Sequence, residues 1–199
     1  MSIRAVLGVM IGAMVALLII GIIKTRVINT TVLIQEGHVG RTKGNIGSVY
    51  NGLKEVTWNA IVGKEVERLL ELKGIDVERV GARIPVTNAT IAIAIHFDGS
   101  NNHCATGASI GHNGSYASKQ MAKHWRKQYG AFFPFKWHKD NFTRNLSHYY
   151  GFSQVNVTKG FLVLELGEIT CTKQTEWLKP RLKQVAAQIA NFIIKELKK

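Results

Sequence analysis

The chain has 199 residues, enough for one domain with a substantial core. Lysine and arginine outnumber aspartate and glutamate by 26 to 13, so the formal charge is +13. This excess predicts an anionic partner, such as a membrane surface or an acidic cell-wall polymer. The cations are scattered, and neither an RNA-recognition signature nor a base-reading basic helix accompanies them, so we expect no nucleic-acid partner.

The N-terminus predicts a membrane segment. Residues 5–23, AVLGVMIGAMVALLIIGII, contain no charged side chain and as a helix would rise about 28 Å, close to the hydrocarbon thickness of a bilayer. A cleavable signal peptide is the alternative, but its apolar region is usually about 7–15 residues long and ends in small residues. We therefore predict an uncleaved signal anchor over residues 1–26, with one transmembrane helix, followed by one domain over residues 27–199.

The apolar pattern of the remaining chain predicts alternating strands and helices. Short apolar or β-favouring runs predict strands over residues 31–35, 75–80, 88–97 and 160–167. Apolar residues at steps of three and four predict helices over residues 54–73, 115–128 and 175–197. Pro180 fits the last helix only within its first turn. The alternation indicates an α/β domain with a mostly parallel sheet flanked by helices on both faces, and considerable loop between residues 98 and 159.

Four side chains that can carry chemistry stand near strand ends. His38 follows the first strand, His96 ends a central strand, Glu165 lies near the end of the last strand, and Glu55 opens a helix. Parallel sheets bind ligands at the carboxyl ends of their strands, so these side chains are predicted to gather there. Two histidines and one carboxylate form a ligand set for catalytic zinc, and a further carboxylate could take a proton from water.

Each of these residues also has an ordinary structural interpretation. His38 could be a surface loop histidine, and His96 a hydrogen-bonded histidine at a strand end. Glu55 could be a first-turn acid that the helix dipole stabilises. Glu165 lies in a buried strand, where a carboxylate without a partner is costly. The residues alone leave both interpretations open.

Four motifs in order resemble the zinc-dependent N-acetylmuramoyl-L-alanine amidases of the type 3 family, the cell-wall hydrolases of bacteria and their phages. The motifs are LIQEGHVG, NGLKEVTWN, AIAIHFDGS and LVLELGEI. The resemblance runs from about residue 32 to residue 197. It implies that His38, Glu55 and His96 bind Zn²⁺ and that Glu165 is the catalytic acid and base.

Other residues of these motifs are predicted to support the ligands. The resemblance matches Asn59 to a family asparagine, and places Glu36, Asp98 and Glu168 where the family usually has other residues. These four are candidates for orienting the ligands. Glu168 also competes with Glu165 as the base. Gln35, before Glu36, stands where the family usually has the aspartate of an Asp-Pro-Gly or Asp-Ala-Gly sequence.

The resemblance implies hydrolysis of the amide between N-acetylmuramic acid and L-alanine in peptidoglycan. The alternatives are a zinc peptidase that cuts the stem peptide and a catalytically inactive wall-binding module. Access to the wall implies a single-pass protein of the cell membrane whose catalytic domain faces the periplasm or the wall. The anchor is also similar to the releasable segments of some phage endolysins.

The two cysteines follow two of the motif strands. Cys104 comes shortly after His96, and Cys171 shortly after Glu165. Because exported domains form disulfides whereas cytosolic ones keep their thiols reduced, we predict that these two side chains can pair near the site.

Overall fold

The computed structural model describes residues 27–199, and the predicted transmembrane segment lies outside them. Among the described residues, no helix is both long and apolar enough to cross a bilayer. Seven strands are described: β1 (Ile28–Glu36), β2 (Val49–Tyr50), β3 (Leu53–Lys54), β4 (Val77–Val80), β5 (Thr87–Asp98), β6 (Ala108–His112) and β7 (Val155–Glu168).

The helices differ widely in length. The α-helices are α1 (Glu55–Glu71), α2 (Tyr116–Gly130), α3 (Arg144–Ser147), α4 (Thr172–Leu178) and α5 (Leu182–Leu197). Two 3₁₀ turns cover Tyr150–Ser153 and Lys179–Arg181. The predicted helix over residues 175–197 is therefore two helices. Pro180 lies in the 3₁₀ turn between them, because proline cannot donate the hydrogen bond that a continuous helix requires.

Five strands form one sheet, in the order β4-β1-β5-β7-β6. The pairs β4–β1, β1–β5 and β5–β7 are parallel, and β6 pairs with β7 antiparallel. The prediction of a mostly parallel α/β sheet is thus confirmed. Strand β6 was not predicted, because its sequence, ASIGH, lies within a Gly- and Asn-rich region.

The two faces of the sheet are covered differently. The side chains of Ile91, Ile93 and Ile95 belong to a core shared with the three long helices α1, α2 and α5. Ala92 and Ala94 belong to the core of the opposite face, which contains only short helical segments and loops. Long helices therefore cover one face of the sheet as predicted, whereas the other face has only short helical segments among the described residues. The connection between β4 and β5, residues 81–86, is too short for a helix and covers that second face through Ile84.

The parallel strands bring the predicted site residues to one edge of the sheet. Glu36 at the end of β1 pairs in register with Ile95, and His96 of β5 pairs with Glu165 of β7. Three neighbouring strands thus end together, and the amino-terminal end of α1 starts beside them. This is the edge at which open parallel sheets place their ligands.

Candidate functional site

His38, Glu55 and His96 converge on one point at this edge. Their potential ligand atoms all lie within 4.8 Å of one another, and all three residues are buried. One carboxylate oxygen of Glu55, Oε1, lies 3.2 Å from Nε2 of His38 and 3.0 Å from Nδ1 of His96. Two imidazole nitrogens and a carboxylate that face a common centre can hold a divalent metal ion.

The backbone turn after β1 aims His38 at this centre. His38 adopts a left-handed backbone conformation with φ of 64°, which is uncommon for a residue other than glycine. Its Nδ1 lies 3.0 Å from the carbonyl oxygen of Asn45. A proton on Nδ1 satisfies that carbonyl and leaves the lone pair of Nε2 free to bind a metal.

A hydrogen-bond chain orients His96. The hydroxyl of Tyr149 donates to Oε1 of Gln35 at 2.7 Å, and its oxygen lies 3.2 Å from Nε2 of His96. Because the single hydroxyl proton is used on Gln35, the tyrosine oxygen can accept from Nε2–H of His96. The side-chain amide of Gln35 is itself fixed, since it donates to the carbonyl oxygens of Glu36 and Gly81. The chain therefore favours the tautomer that leaves Nδ1 of His96 free.

Glu55 is held as an anion. Its Oε2 accepts a hydrogen bond of 2.9 Å from the backbone N–H of Ser48. Burial by itself raises the pKa of Glu55, but the interactions with His38 and His96 in the metal-free protein outweigh that effect, and the net pKa is lowered. Asn59 donates to the carbonyl oxygen of Gly37 at 2.9 Å and lies 3.4 Å from Glu55 Oε1, so its side chain lies beside the proposed ligand Glu55.

Two glycines leave room for these side chains. A Cβ at Gly37 would lie 2.3 Å from Cε1 of His96, so any other residue would push the imidazole out of place. Gly47 has φ of +90°, and a Cβ there would lie 3.1 Å from Oε2 of Glu55. The glycines beside the predicted ligands are therefore required by close packing around the centre.

Glu165 brings a further carboxylate to the same cleft. Its Oε2 is buried and has no hydrogen-bond partner among the described residues. Burial, and then the negative charges of Asp98 and Glu55, raise the pKa of Glu165 well above its ordinary value. A buried cluster of carboxylates without a cation is electrostatically unbalanced, and a divalent ion between the ligands would balance it. The residues present thus fit a metal, and the histidine-rich donor set suits zinc.

Asp98 and Glu36, two other residues predicted to support the ligands, lie at different distances from the site. Asp98 lines the cleft, and its Oδ1 accepts a hydrogen bond of 2.8 Å from the N–H of Gly99. Glu36 points away from the metal ligands, and its Oε1 forms an ion pair of 2.8 Å with Arg79. It lies against α1, where a Cβ on Gly63 would approach Oε1 of Glu36 to 2.6 Å. Glu36 therefore joins helix to sheet and makes no contact with the proposed ligands.

Glu168 is placed too far into the protein to act as the base. It is fully buried and does not line the cleft. Its two carboxylate oxygens accept backbone hydrogen bonds from Cys104 at 2.8 Å and Thr106 at 2.7 Å, and further bonds from the hydroxyls of Thr106 and Thr170. All these donors come from the protein, so Glu168 fixes a loop, and Glu165 is the carboxylate that faces the cleft.

The cleft has a volume of about 500 Å³, and part of its wall comes from the region predicted to be loop. The sequence patterns did not predict several of its polar or aromatic lining side chains, among them Arg41, Asn145, His148, Tyr149 and Tyr150. His148 was the only available signal, since it is one of five further histidines in the sequence. The wall places cationic and hydrogen-bonding groups beside the three proposed ligands, which suits a polar, extended substrate.

Cys104 and Cys171 form a disulfide in the structure. It joins the loop after β5 to the start of α4, and the same loop is held by Glu168. The disulfide therefore stabilises the segment that follows His96 on β5.

The amino-acid sequence of the chain matches a known protein family. The sequence profile of a family described as N-acetylmuramoyl-L-alanine amidase matches residues 32–195. This range includes His38, Glu55, His96 and Glu165. A search of curated protein sequences gave no match.

Solved structures of such amidases have a similar fold. An N-acetylmuramoyl-L-alanine amidase from Clostridium difficile 630 is 21% identical with a TM-score of 0.64, over 85% of this chain and 97% of that one. The amidase AmiC2 of Nostoc punctiforme is 21% identical with a TM-score of 0.63, over 85% and 98%. The catalytic domain of the amidase CwlV from Bacillus (Paenibacillus) polymyxa is 20% identical with a TM-score of 0.62, over 85% and 98%.

Proposed function

Because the chain belongs to the N-acetylmuramoyl-L-alanine amidase family and is a peptidoglycan hydrolase, we propose that it acts with a zinc ion held by His38, Glu55 and His96. The observation that carries this proposal is the convergence of the three potential ligand atoms within 4.8 Å. The bond cleaved is the amide between the lactyl group of N-acetylmuramic acid and L-alanine.

With His38, Glu55 and His96 as its ligands, a zinc ion would have one position open for water or substrate. Zinc in such a site lowers the pKa of water and polarises a carbonyl group. The hydrogen bonds from His38 to Asn45 and from His96 to Tyr149 keep one nitrogen of each imidazole free for the metal. Both ligands are therefore oriented before the metal binds.

Glu165 carries the proton in this mechanism. The carboxylate takes a proton from the attacking water and then gives it to the nitrogen of the leaving alanine. A dication bound beside Glu165 would favour its ionised form, which a base requires. Its burial, which raises its pKa in the metal-free protein, favours retention of the proton until the amine departs.

Mass spectrometry of digested peptidoglycan tests the bond that is cleaved. We expect stem peptides with a free amino group on L-alanine, together with glycan strands that have lost the peptide at the lactyl carboxyl group. New ends within the stem peptide would instead indicate a zinc peptidase. Tight binding to sacculi with no new ends would indicate an inactive wall-binding module. Chelator-treated protein, with and without added zinc, is the control.

We also propose that residues 5–23 span the membrane once with the N-terminus in the cytoplasm, so that the catalytic domain faces the periplasm or wall. The support is the length of the uncharged run, about 28 Å as a helix, and the need for access to the substrate. Carbonate extraction tests it, and the anchored protein is expected to stay with the membrane. Recovery of active enzyme with residues 1–26 intact in the soluble fraction would favour a releasable anchor of the endolysin type.

A further inference from the structure

Positive charge is concentrated in one half of the described chain. Residues 27–110 contain eight lysines and arginines and eight acidic residues. Residues 111–199 contain 15 lysines and arginines and only five acidic residues. The second half therefore carries the excess of positive charge of the described residues, and the first half is neutral.

The acidic side chains of the second half do little to offset this charge at the surface. Asp140 forms an ion pair with an arginine of α2, and the largely buried Glu196 forms one of 2.6 Å with Lys199 at the C-terminus. Glu165 lines the cleft and Glu168 is buried beneath a loop. Glu176 on α4 is the remaining acidic residue of this half and is exposed. Most lysines here thus have no nearby carboxylate to neutralise them.

Helix α2 arranges three of the lysines in a row. Lys119, Lys123 and Lys127 are all exposed and are spaced by four residues, so they project from one side of the helix. Each step along the row rises about 6 Å. The opposite side of α2 buries Trp125 and Tyr129 against the core, which fixes the row relative to the sheet.

Lys195 of α5 and Lys199, two residues after the end of α5, lie beside this row. Nζ of Lys195 lies 3.1 Å from Oε1 of Gln128, and Nζ of Lys199 lies 2.9 Å from Nδ1 of His124, so both reach α2. Among the described residues, Lys195 and the three lysines of α2 form no ion pair. We call these five lysines the basic face: Lys119, Lys123, Lys127, Lys195 and Lys199.

We propose that the basic face binds a linear polymer that carries a phosphate group in each repeat. A lysine ammonium is a compact charge suited to phosphate, and a straight row of lysines at regular spacing matches charges that recur along a chain. A membrane surface fits less well, because helices that lie on membranes expose an apolar side. The apolar side of α2 is packed inside the protein, and Tyr116 is its only large apolar side chain that is exposed.

The basic face is separate from the catalytic cleft, since none of its lysines lines the cleft. A bound polymer therefore leaves the cleft open. This proposal rests on the proposed function in one respect, namely that the enzyme works in the cell wall. There the basic face would hold the enzyme close to its substrate. Binding is measurable without any hydrolysis.

Binding of inorganic polyphosphate to the full chain in non-ionic detergent tests the proposal. The test variant is Lys123→Gln with Lys127→Gln, and the matched control is Lys64→Gln with Lys73→Gln, which removes the same charge from exposed positions of the neutral half. We expect the test variant to weaken binding by roughly tenfold at moderate salt and to reduce its salt dependence, because fewer counterions are released. The control variant is expected to change binding less than about twofold.

Three outcomes would overturn the proposal. Equal weakening by both variants would mean that only net charge matters. Without binding to polyphosphate, a preference for phosphatidylglycerol over phosphatidylcholine vesicles that the test variant loses and the control variant keeps would assign the face to a membrane. No binding to polyphosphate would exclude the polymer. Hydrolysis of a soluble muropeptide is measured on the same samples, so that failure of the amidase proposal is seen separately from failure of this one.

Discussion

At the scale of single residues, Tyr149 orients the side chain of His96, one of the three proposed metal ligands. Its hydroxyl connects His96 to Gln35, which lies 114 positions earlier in the chain. Gln35 is fully buried and anchored by its own amide, so the chain of hydrogen bonds is rigid. The position at which the family usually has aspartate thus keeps a hydrogen-bond acceptor, which here reaches the ligand through a tyrosine.

Tyr149→Phe is predicted to weaken zinc binding by about tenfold, because Nε2 of His96 loses its acceptor and the tautomer is no longer fixed. Competition with a chromophoric chelator measures the affinity, and cobalt substitution gives a spectrum that reports ligand geometry. Tyr150→Phe is the control, since it also removes one tyrosine hydrogen bond, to the carbonyl oxygen of Ala82, without contact with His96. Equal losses in both variants would show that Tyr149 has only a general structural role.

The raised pKa of Glu165 predicts a pH-dependent stability in the metal-free protein. Burial and neighbouring charges make the folded state hold its proton above the ordinary value of 4.5, where the unfolded chain ionises. Glu165 therefore costs stability increasingly as pH rises above 4.5. Glu165→Gln should stabilise the metal-free protein by about 1 kcal/mol or more at pH 7 and little at pH 4. Urea unfolding of both proteins at pH 7 and pH 4 measures this difference in stability. An equal gain in stability at the two pH values would contradict the prediction.

The sequence predicted the site residues whose side chains can bind a metal or transfer a proton. It missed the residues that only the folded chain places beside them. His38 follows β1, and His96 and Glu165 lie near the carboxyl ends of β5 and β7, so a parallel sheet was enough to gather them. Tyr149 lies in a segment without a clear secondary-structure pattern, and nothing in its spacing links it to Gln35. Such contacts depend on how the loop returns over the sheet.

At the scale of elements, the end of β7 separates two carboxylates with different tasks. Glu165 faces the cleft, and Glu168, three residues later, accepts hydrogen bonds from Cys104, Thr106 and Thr170. A break in the pairing of β5 with β7 between His96 and Asp98 accompanies this change. The sequence left Glu168 as a competitor because a two-residue alternation is not maintained through such an irregularity.

Glu168→Ala is predicted to lower the free energy of unfolding by about 3 kcal/mol, because several buried donors lose a charged acceptor. Folded Glu168→Ala should still bind zinc and hydrolyse peptidoglycan. Urea denaturation and an activity assay at low temperature check both statements, with the exposed Glu176→Ala as control. Loss of activity in a stable, zinc-loaded Glu168→Ala protein would return Glu168 to the list of candidate bases.

The elements that were predicted least well have weak local signals. β6 is a five-residue edge strand with glycine and histidine in it, and its strand form comes from pairing with β7. The interruption of the last helix is a local effect of Pro180, but its position between two helices depends on how α4 packs. The long strands and α1 were predicted because their apolar periods persist over many residues.

At the scale of the whole molecule, the disulfide closes a long loop of the chain. Cys104 and Cys171 are separated by 67 residues. Replacement of both by serine is predicted to lower the free energy of unfolding by about 4 kcal/mol, from the entropy of the unfolded chain. Unfolding with and without reductant measures it, and the double variant should no longer respond to reductant. A response that persists in the variant would contradict the assignment.

Charged side chains are distributed differently in the cleft and on the basic face. Its cleft gathers buried carboxylates and histidines at one sheet edge, whereas the basic face lies on α2 and α5. Long-range attraction by the basic face concentrates the enzyme at an anionic surface without altering the electrostatics inside the cleft.

The most direct test of the central claim compares peptidoglycan hydrolysis by the full chain and by Glu165→Gln, each loaded with one equivalent of zinc. We predict that the variant binds zinc as tightly and loses amide hydrolysis by at least about a hundredfold, because the carboxylate proposed to take the proton is replaced by a neutral amide. Glu176→Gln, at an exposed position on α4, should keep full activity. Full activity of zinc-loaded Glu165→Gln would contradict the account.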